Sequence, residues 1–130
     1  MLQEILKTGR EETLNSNELA RKVVDIIEEK QASDIVLLDV SEQTSIASFF
    51  IIATVDSERQ ANAIREDLWQ QLQVAQKVRP LNTNDLRQEG GGWILADYGD
   101  VILHLFTAET RLFYDLDGLW SDANVVMKIL

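Results

Sequence analysis

Residues 90–123 read GGGWILADYGDVILHLFTAETRLFYDLDGLWSDA, and this stretch decides the fold. Trp93–Ala96 and Val101–Phe106 are apolar runs of strand length. Asp97-Tyr98-Gly99-Asp100 separates them, and Gly99 can take the positive φ that a hairpin turn asks for. Beyond Phe106 the pattern changes. Ala108 to Ala123 predicts short helical turns carrying Phe113, Tyr114, Leu116, Leu119 and Trp120. Aromatic and acidic residues interleave here, and the chain's one histidine lies in a strand. The segment reads as a recognition surface more than a reaction centre.

Upstream, Ser16 or Asn17 is placed to cap a helix. Its stripe is Leu19, Val23, Ile26 and Lys30, broadened by Val24 and Ile27. Ile35–Val40 (IVLLDV) is a near-continuous apolar run, as expected of a strand buried on both faces. Phe49–Ala53 predicts a second strand that Thr54 and Val55 extend, with Glu42–Ser48 as the link. Asp56 or Ser57 caps the next helix, whose sheet-facing residues are Ala61, Ile64, Leu68, Leu72 and Ala75, with Trp69 at the edge. That helix ends before Val78-Arg79-Pro80, because proline cannot continue the hydrogen-bond ladder. Thr83–Gly92 follows as a flexible polar connection. The order predicts one small α/β domain, a mixed β-sheet packed with helices. Its expected limits are 16–124, after an N-terminal extension at 1–15 and before a short apolar tail at 125–130.

Composition narrows the function. The 130 residues are 45% hydrophobic, enough for one domain with a real core. No window suits a membrane span, and the N-terminus lacks the pattern of a signal peptide. The absence of cysteine excludes a disulfide framework and a thiolate metal site, and fits a cytoplasmic location. The net charge of −10 and the lack of a basic stripe disfavour extensive direct contact with nucleic acid. A basic protein partner suits this charge better.

Chemistry is poorly provided for. Asp34 and Asp39 bracket the first strand, and Asp97 and Asp100 bracket the hairpin turn. Either pair is a conceivable metal or acid–base site. Neither has a phosphate loop, a histidine cluster or an activated nucleophile beside it. His104 shares a strand face with Ile102 and Phe106, opposite Val101, Leu103 and Leu105, and reads as a structural or interface residue. No catalytic, cofactor or metal residue is assigned. Tyr98, Phe113, Tyr114 and Trp120, set among Asp97, Asp100, Asp115, Asp117 and Asp122, suggest an apolar centre with an acidic rim. Arg111 is the exception in this acidic run, and an i,i+4 pairing with Asp115 is expected if the turn is helical.

These residues carry a resemblance. Trp93, Leu95, Asp97-Tyr98-Gly99-Asp100 and His104, followed by Arg111, Phe113-Tyr114-Asp115-Leu116, Leu119-Trp120 and Asp122-Ala123, form a highly specific pattern. Ala32, Asp34-Ile35-Val36, Leu38-Asp39-Val40, Arg59-Gln60 and Ala63-Ile64 agree with it upstream. Over residues 19–123 the chain resembles the ribosomal silencing factor family, also called the Iojap family. The resemblance implies a non-enzymatic protein that needs no cofactor and has a fold similar to the nucleotidyltransferase domain. It implies binding to the large ribosomal subunit through its protein fourteen, a steric block to joining of the small subunit, and homodimers. Relatives in organelles act in large-subunit assembly. Carried over, the partner-binding residues are Trp93, Asp97, Tyr98, Asp100, His104, Arg111, Phe113, Tyr114, Asp115 and Trp120. The chain departs from the family pattern at Phe49, Ala96 and Gly118, and in the link Ala53–Glu58, which lacks the usual glycine.

Overall fold

A computed structural model describes residues 14–81 and 92–130. The extension expected at 1–15, up to residue 13, and most of the polar connection at 83–92 lie outside the described residues.

The first helix, α1, spans Ser16–Glu29. Its cap is Asn15, upstream of the expected Ser16 or Asn17. The spacing Asn15-x-x-Glu18 explains the choice, because it closes a reciprocal capping box. Asn15 Oδ1 accepts from the Glu18 amide at 2.8 Å, and Glu18 Oε1 accepts from the Asn15 amide at 3.1 Å. The helix buries Leu19, Ala20, Val23, Val24, Ile26 and Ile27, while Lys30 caps its C-terminus in solvent.

Strand β1 (Ser33–Asp39) pairs antiparallel with β2 (Phe49–Thr54). Every residue of β2 is buried, as its apolar run requires. Helix α2 (Glu58–Leu68) follows, with the Ser57 hydroxyl accepting from the Gln60 amide at 3.1 Å. It continues into a π-helical segment at Trp69–Val74. Ala61, Ile64, Leu68 and Leu72 face the core as expected, but Ala75 is exposed. The wider winding leaves Leu72 inward and swings the next positions out.

Strands β3 (Trp93–Asp97) and β4 (Val101–Phe106) form the hairpin, with Gly99 at φ 93° in its turn. Two short helices come next, α3 (Ala108–Tyr114) and α4 (Leu116–Leu119). The chain closes with β5 (Asn124–Ile129), antiparallel to β1. Residues 125–130, expected as a tail, therefore belong largely to the sheet, because their backbone completes the ladder along β1.

The sheet is mixed, in the order β3-β4-β2-β1-β5, with β2 and β4 parallel. Alternation gives it two faces. Ile35, Leu37, Ile51, Leu103 and Leu105 form one core with α1 and α2. Val36, Leu38, Phe50, Ile52, Ile102 and Phe106 form the other, joined by Leu116, Ala123, Trp93, Leu95 and Trp120. The second face is roofed by the α3–α4 segment, and the candidate surface lies there. No helix among the described residues is long and apolar enough to cross a membrane.

Candidate partner-binding surface

The floor of the surface follows from register. Trp93, Leu95 and Asp97 of β3 stand opposite Phe106, His104 and Ile102 of β4, and Ile102 and His104 neighbour Phe50 and Ile52 of β2. His104 thus shares its face with Ile102 and Phe106, as its spacing predicted, and is 5% exposed. Phe50 meets it edge-on at 5.1 Å between ring centres, and the Phe106 ring lies nearly parallel at 6.2 Å. The Trp93 indole Nε1–H donates to His104 Nδ1 at 3.2 Å. Since Nδ1 accepts, the proton of the neutral ring sits on Nε2, which is buried without a hydrogen-bond partner. Burial pushes the imidazole pKa down to about 4, against a weaker upward pull from Asp97. His104 is therefore neutral at physiological pH and serves as a fixed acceptor for Trp93. It does not stand near 7, where a general base would work best.

Above this floor sit the short helices. Thr107 caps α3 through its hydroxyl. Asp115 ends α3 in the left-handed region, at φ 51° and ψ 49°, and its carboxylate then accepts from the Gly118 amide to start α4. The Asp115 amide still donates to the Arg111 carbonyl at 2.9 Å, but the positive φ turns the Asp115 side chain to the start of α4. The Arg111–Asp115 pairing expected from i,i+4 spacing is accordingly replaced by a bidentate pair with Asp117, at 3.1 and 2.8 Å. The guanidinium holds the Asp117 carboxyl below its usual range. Tyr114 packs on Trp93 at 4.8 Å, Phe113 on Tyr114 at 5.0 Å, and Trp120 on Phe50 at 4.8 Å.

The ten motif residues separate by position. Phe113 (78% exposed), Tyr114 (46%) and Asp115 face solvent on the roof. Trp93, His104, Arg111 and Trp120 lie beneath or between its parts. Asp97 shares the face and also shapes the hairpin, where its carboxylate accepts from the Gly99 amide at 2.8 Å. Tyr98 and Asp100 do not join this surface. Tyr98 packs into the core on the α1–α2 side, where burial raises its hydroxyl to about 12. The Asp100 carboxylate accepts from the Ser16 hydroxyl at the start of α1, at 2.9 Å.

Two further exposed residues stand on these helices outside the ten partner-binding candidates. Leu112 is 82% exposed and Leu119 is 73% exposed, and with Phe113 they are the most exposed apolar side chains of the α3–α4 segment, its apolar ridge. For Leu112 the signal was Arg111, since a cation turned inward at that position rotates residues 112 and 113 outward. Glu109, Asp115 and Asp122 are exposed acidic residues on or beside these helices. The segment thus presents exposed apolar side chains together with exposed carboxylates, a composition that suits recognition.

The first candidate carboxylate pair is not brought together. Asp34 and Asp39 lie five residues apart along β1, on the order of 16 Å. The Asp39 carboxylate is taken by the Ser41 amide and hydroxyl, which lower its pKa. Among the described residues no group of three His, Cys, Asp or Glu could hold a metal ion.

Comparison with known proteins agrees with this architecture. A family model described as ribosomal silencing factor during starvation matches residues 13–129. The ribosomal silencing factor of Halalkalibacterium halodurans is 34% identical over 114 residues, covering 87% of this chain and 94% of that protein. A crystal structure of a Chromobacterium violaceum protein superposes with a TM-score of 0.74 at 31% identity, covering 83% of this chain and 88% of the other. One from Bacillus halodurans gives a TM-score of 0.70 at 28% identity, covering 86% and 99%. From Asn15 in its first capping box to the strand that closes its sheet, the chain belongs to the ribosomal silencing factor family.

Proposed function

We propose that this protein silences ribosomes by occlusion, as a cytoplasmic, non-enzymatic repressor of translation. It binds the large ribosomal subunit through that subunit's protein fourteen and fills space the small subunit needs. The observation that carries the reading is the ridge of Leu112, Phe113 and Leu119, held on a rigid aromatic floor in a protein of net charge −10. Its exposed apolar centre supplies contact area, and the surrounding carboxylates orient a basic partner. Within this reading Phe113, Tyr114 and Asp115 touch the partner, while Trp93, His104, Arg111 and Trp120 support them. The reading includes a homodimer when the protein is free. It also includes a fold akin to the nucleotidyltransferase domain, without that domain's chemistry.

The test is sedimentation of purified ribosomal subunits, with and without the protein, at physiological magnesium. Co-sedimentation with large subunits and loss of joined ribosomes is the expected result. Binding that leaves joining intact would instead assign the protein to large-subunit assembly. Absence of binding would remove the basis of the proposal. Phe113→Asp places a charge on a side chain that supports no core. It is expected to lower large-subunit affinity at least about tenfold with the melting temperature nearly unchanged.

A further inference from the structure

We propose that Arg111 is the positioning residue of the α3–α4 surface, acting through the ridge without touching the partner. The inference rests on the reading that this ridge docks on the ribosome.

The two helices have little else to hold them. Helix α3 buries none of its seven residues, and α4 buries only Leu116. Helices this short are not stable alone. Their seat consists of Leu116, two ring contacts (Tyr114 on Trp93, Trp120 on Phe50), the Thr107 cap and Arg111. The Arg111 side chain is 14% exposed and reaches three other parts of the chain. It stands on α3. Its Nε and Nη2 take both carboxylate oxygens of Asp117 on α4. Its Nη1 donates to the Thr54 hydroxyl at the end of β2, at 2.9 Å, and to the Asp34 carbonyl at the start of β1, at 2.7 Å.

The sheet is shaped to receive it. Asp34 has φ 48°, and the β1–β2 register slips between Ser33 and Val36. The irregular start of β1 leaves the Asp34 carbonyl turned to the guanidinium, where a regular ladder would have directed strand groups at one another. Arg111 thereby fixes the rotation of α3 as well as its distance from the sheet. With residue 111 turned inward, Leu112 and Phe113 must turn outward. Lysine cannot reproduce this role, since one ammonium cannot serve a carbonyl, a hydroxyl and both carboxylate oxygens in a planar fork.

The experiment uses the full chain and purified large ribosomal subunits. Arg111→Lys, Arg111→Met, Asp117→Asn and Phe113→Asp are compared for affinity and for amide hydrogen exchange. The Lys and Met variants are expected to bind at least about tenfold more weakly, with Asp117→Asn intermediate. Their amides at 115–120 should exchange faster while those of β2 and β4 stay protected. In a Phe113→Asp background, Arg111→Lys should cost little further affinity, because both act through one ridge. If Arg111→Met does not fold, the Lys and Asn variants carry the test. Binding within twofold of the parent for the Arg111 variants, with Phe113→Asp impaired, overturns the positioning role. So does exchange that rises equally through β2 and β4, which marks a general structural role. If Phe113→Asp binds normally, the docking surface itself is misassigned and this inference fails with it.

Discussion

Acidification should unfold this protein partly through His104. In the folded chain the imidazole titrates at about 4, against 6.5 when free, because its charged form would sit in an aromatic enclosure with no partner for Nε2–H. Between those values the unfolded chain takes up a proton and the folded chain does not, so stability falls as pH falls. The loss begins near pH 6.5 and is complete near pH 4. The gap between 6.5 and about 4, at about 1.4 kcal/mol per pH unit, comes to about 3 kcal/mol. That is a large share of the roughly 5–15 kcal/mol that holds a typical domain. Asp39 and Asp117, whose pKa values are lowered, also withdraw stability on acidification, but in a lower window, as pH falls through their folded values. A His104→Gln variant separates the contributions, because both carboxylates remain and the amide oxygen can still accept from Trp93. The assay is urea unfolding of both proteins between about pH 7 and about pH 4.5. The parent should lose about 2 kcal/mol more than the variant over that range. Parallel pH profiles would refute the argument, since they would mean that the folded state accommodates the imidazolium.

Other changes test the fold. Asn15→Ala removes the side-chain half of the capping box at α1 and should cost about 1 kcal/mol in urea unfolding, with α1 amides exchanging faster. Gly99→Ala meets only the Leu81 side chain, at 3.9 Å, so its cost of about 1–2 kcal/mol should come from the φ of 93° alone. Removing residues 125–130 strips β1 of its outer partner and loses the half-buried Met127 and Ile129. The expected loss is about 3 kcal/mol or more in the same unfolding assay.

The central strands were legible because burial on both faces leaves an unmistakable apolar run, and the register of His104 followed from simple alternation. What escaped had causes outside local pattern. Residues Val125-Val126-Met127-Lys128-Ile129 lack alternation, and their strand character comes from β1, some ninety residues away along the chain. The cap moved to Asn15 because a reciprocal bond with Glu18 outweighs the other hydroxyl and amide candidates. Ala75 left the core because the winding changed after Leu68, which a fixed helical period cannot anticipate. Asp117 displaced Asp115 as the partner of Arg111 because a single left-handed residue ended the helix. In the candidate surface the motif was visible, but its division into buried and exposed side chains was not. Tyr98 and Asp97 are neighbours in sequence and lie on opposite faces of the sheet.

That division bears on how so small a protein could block so large an assembly. Occlusion requires occupancy and orientation, and no chemical step. Affinity must then come from a few side chains whose ordering cost is met before the partner arrives. The floor does this: Trp93 is bonded to His104 and packed by Tyr114, and Trp120 is braced on Phe50. Arg111 adds a polar lock where the helices have almost no apolar anchorage. In the proposed reading, ten candidate contacts reduce to the few exposed side chains of α3 and α4, carried on the aromatic floor. In such a design, losing a buried support should weaken binding as much as losing a surface contact, because each fixes the same few atoms in place.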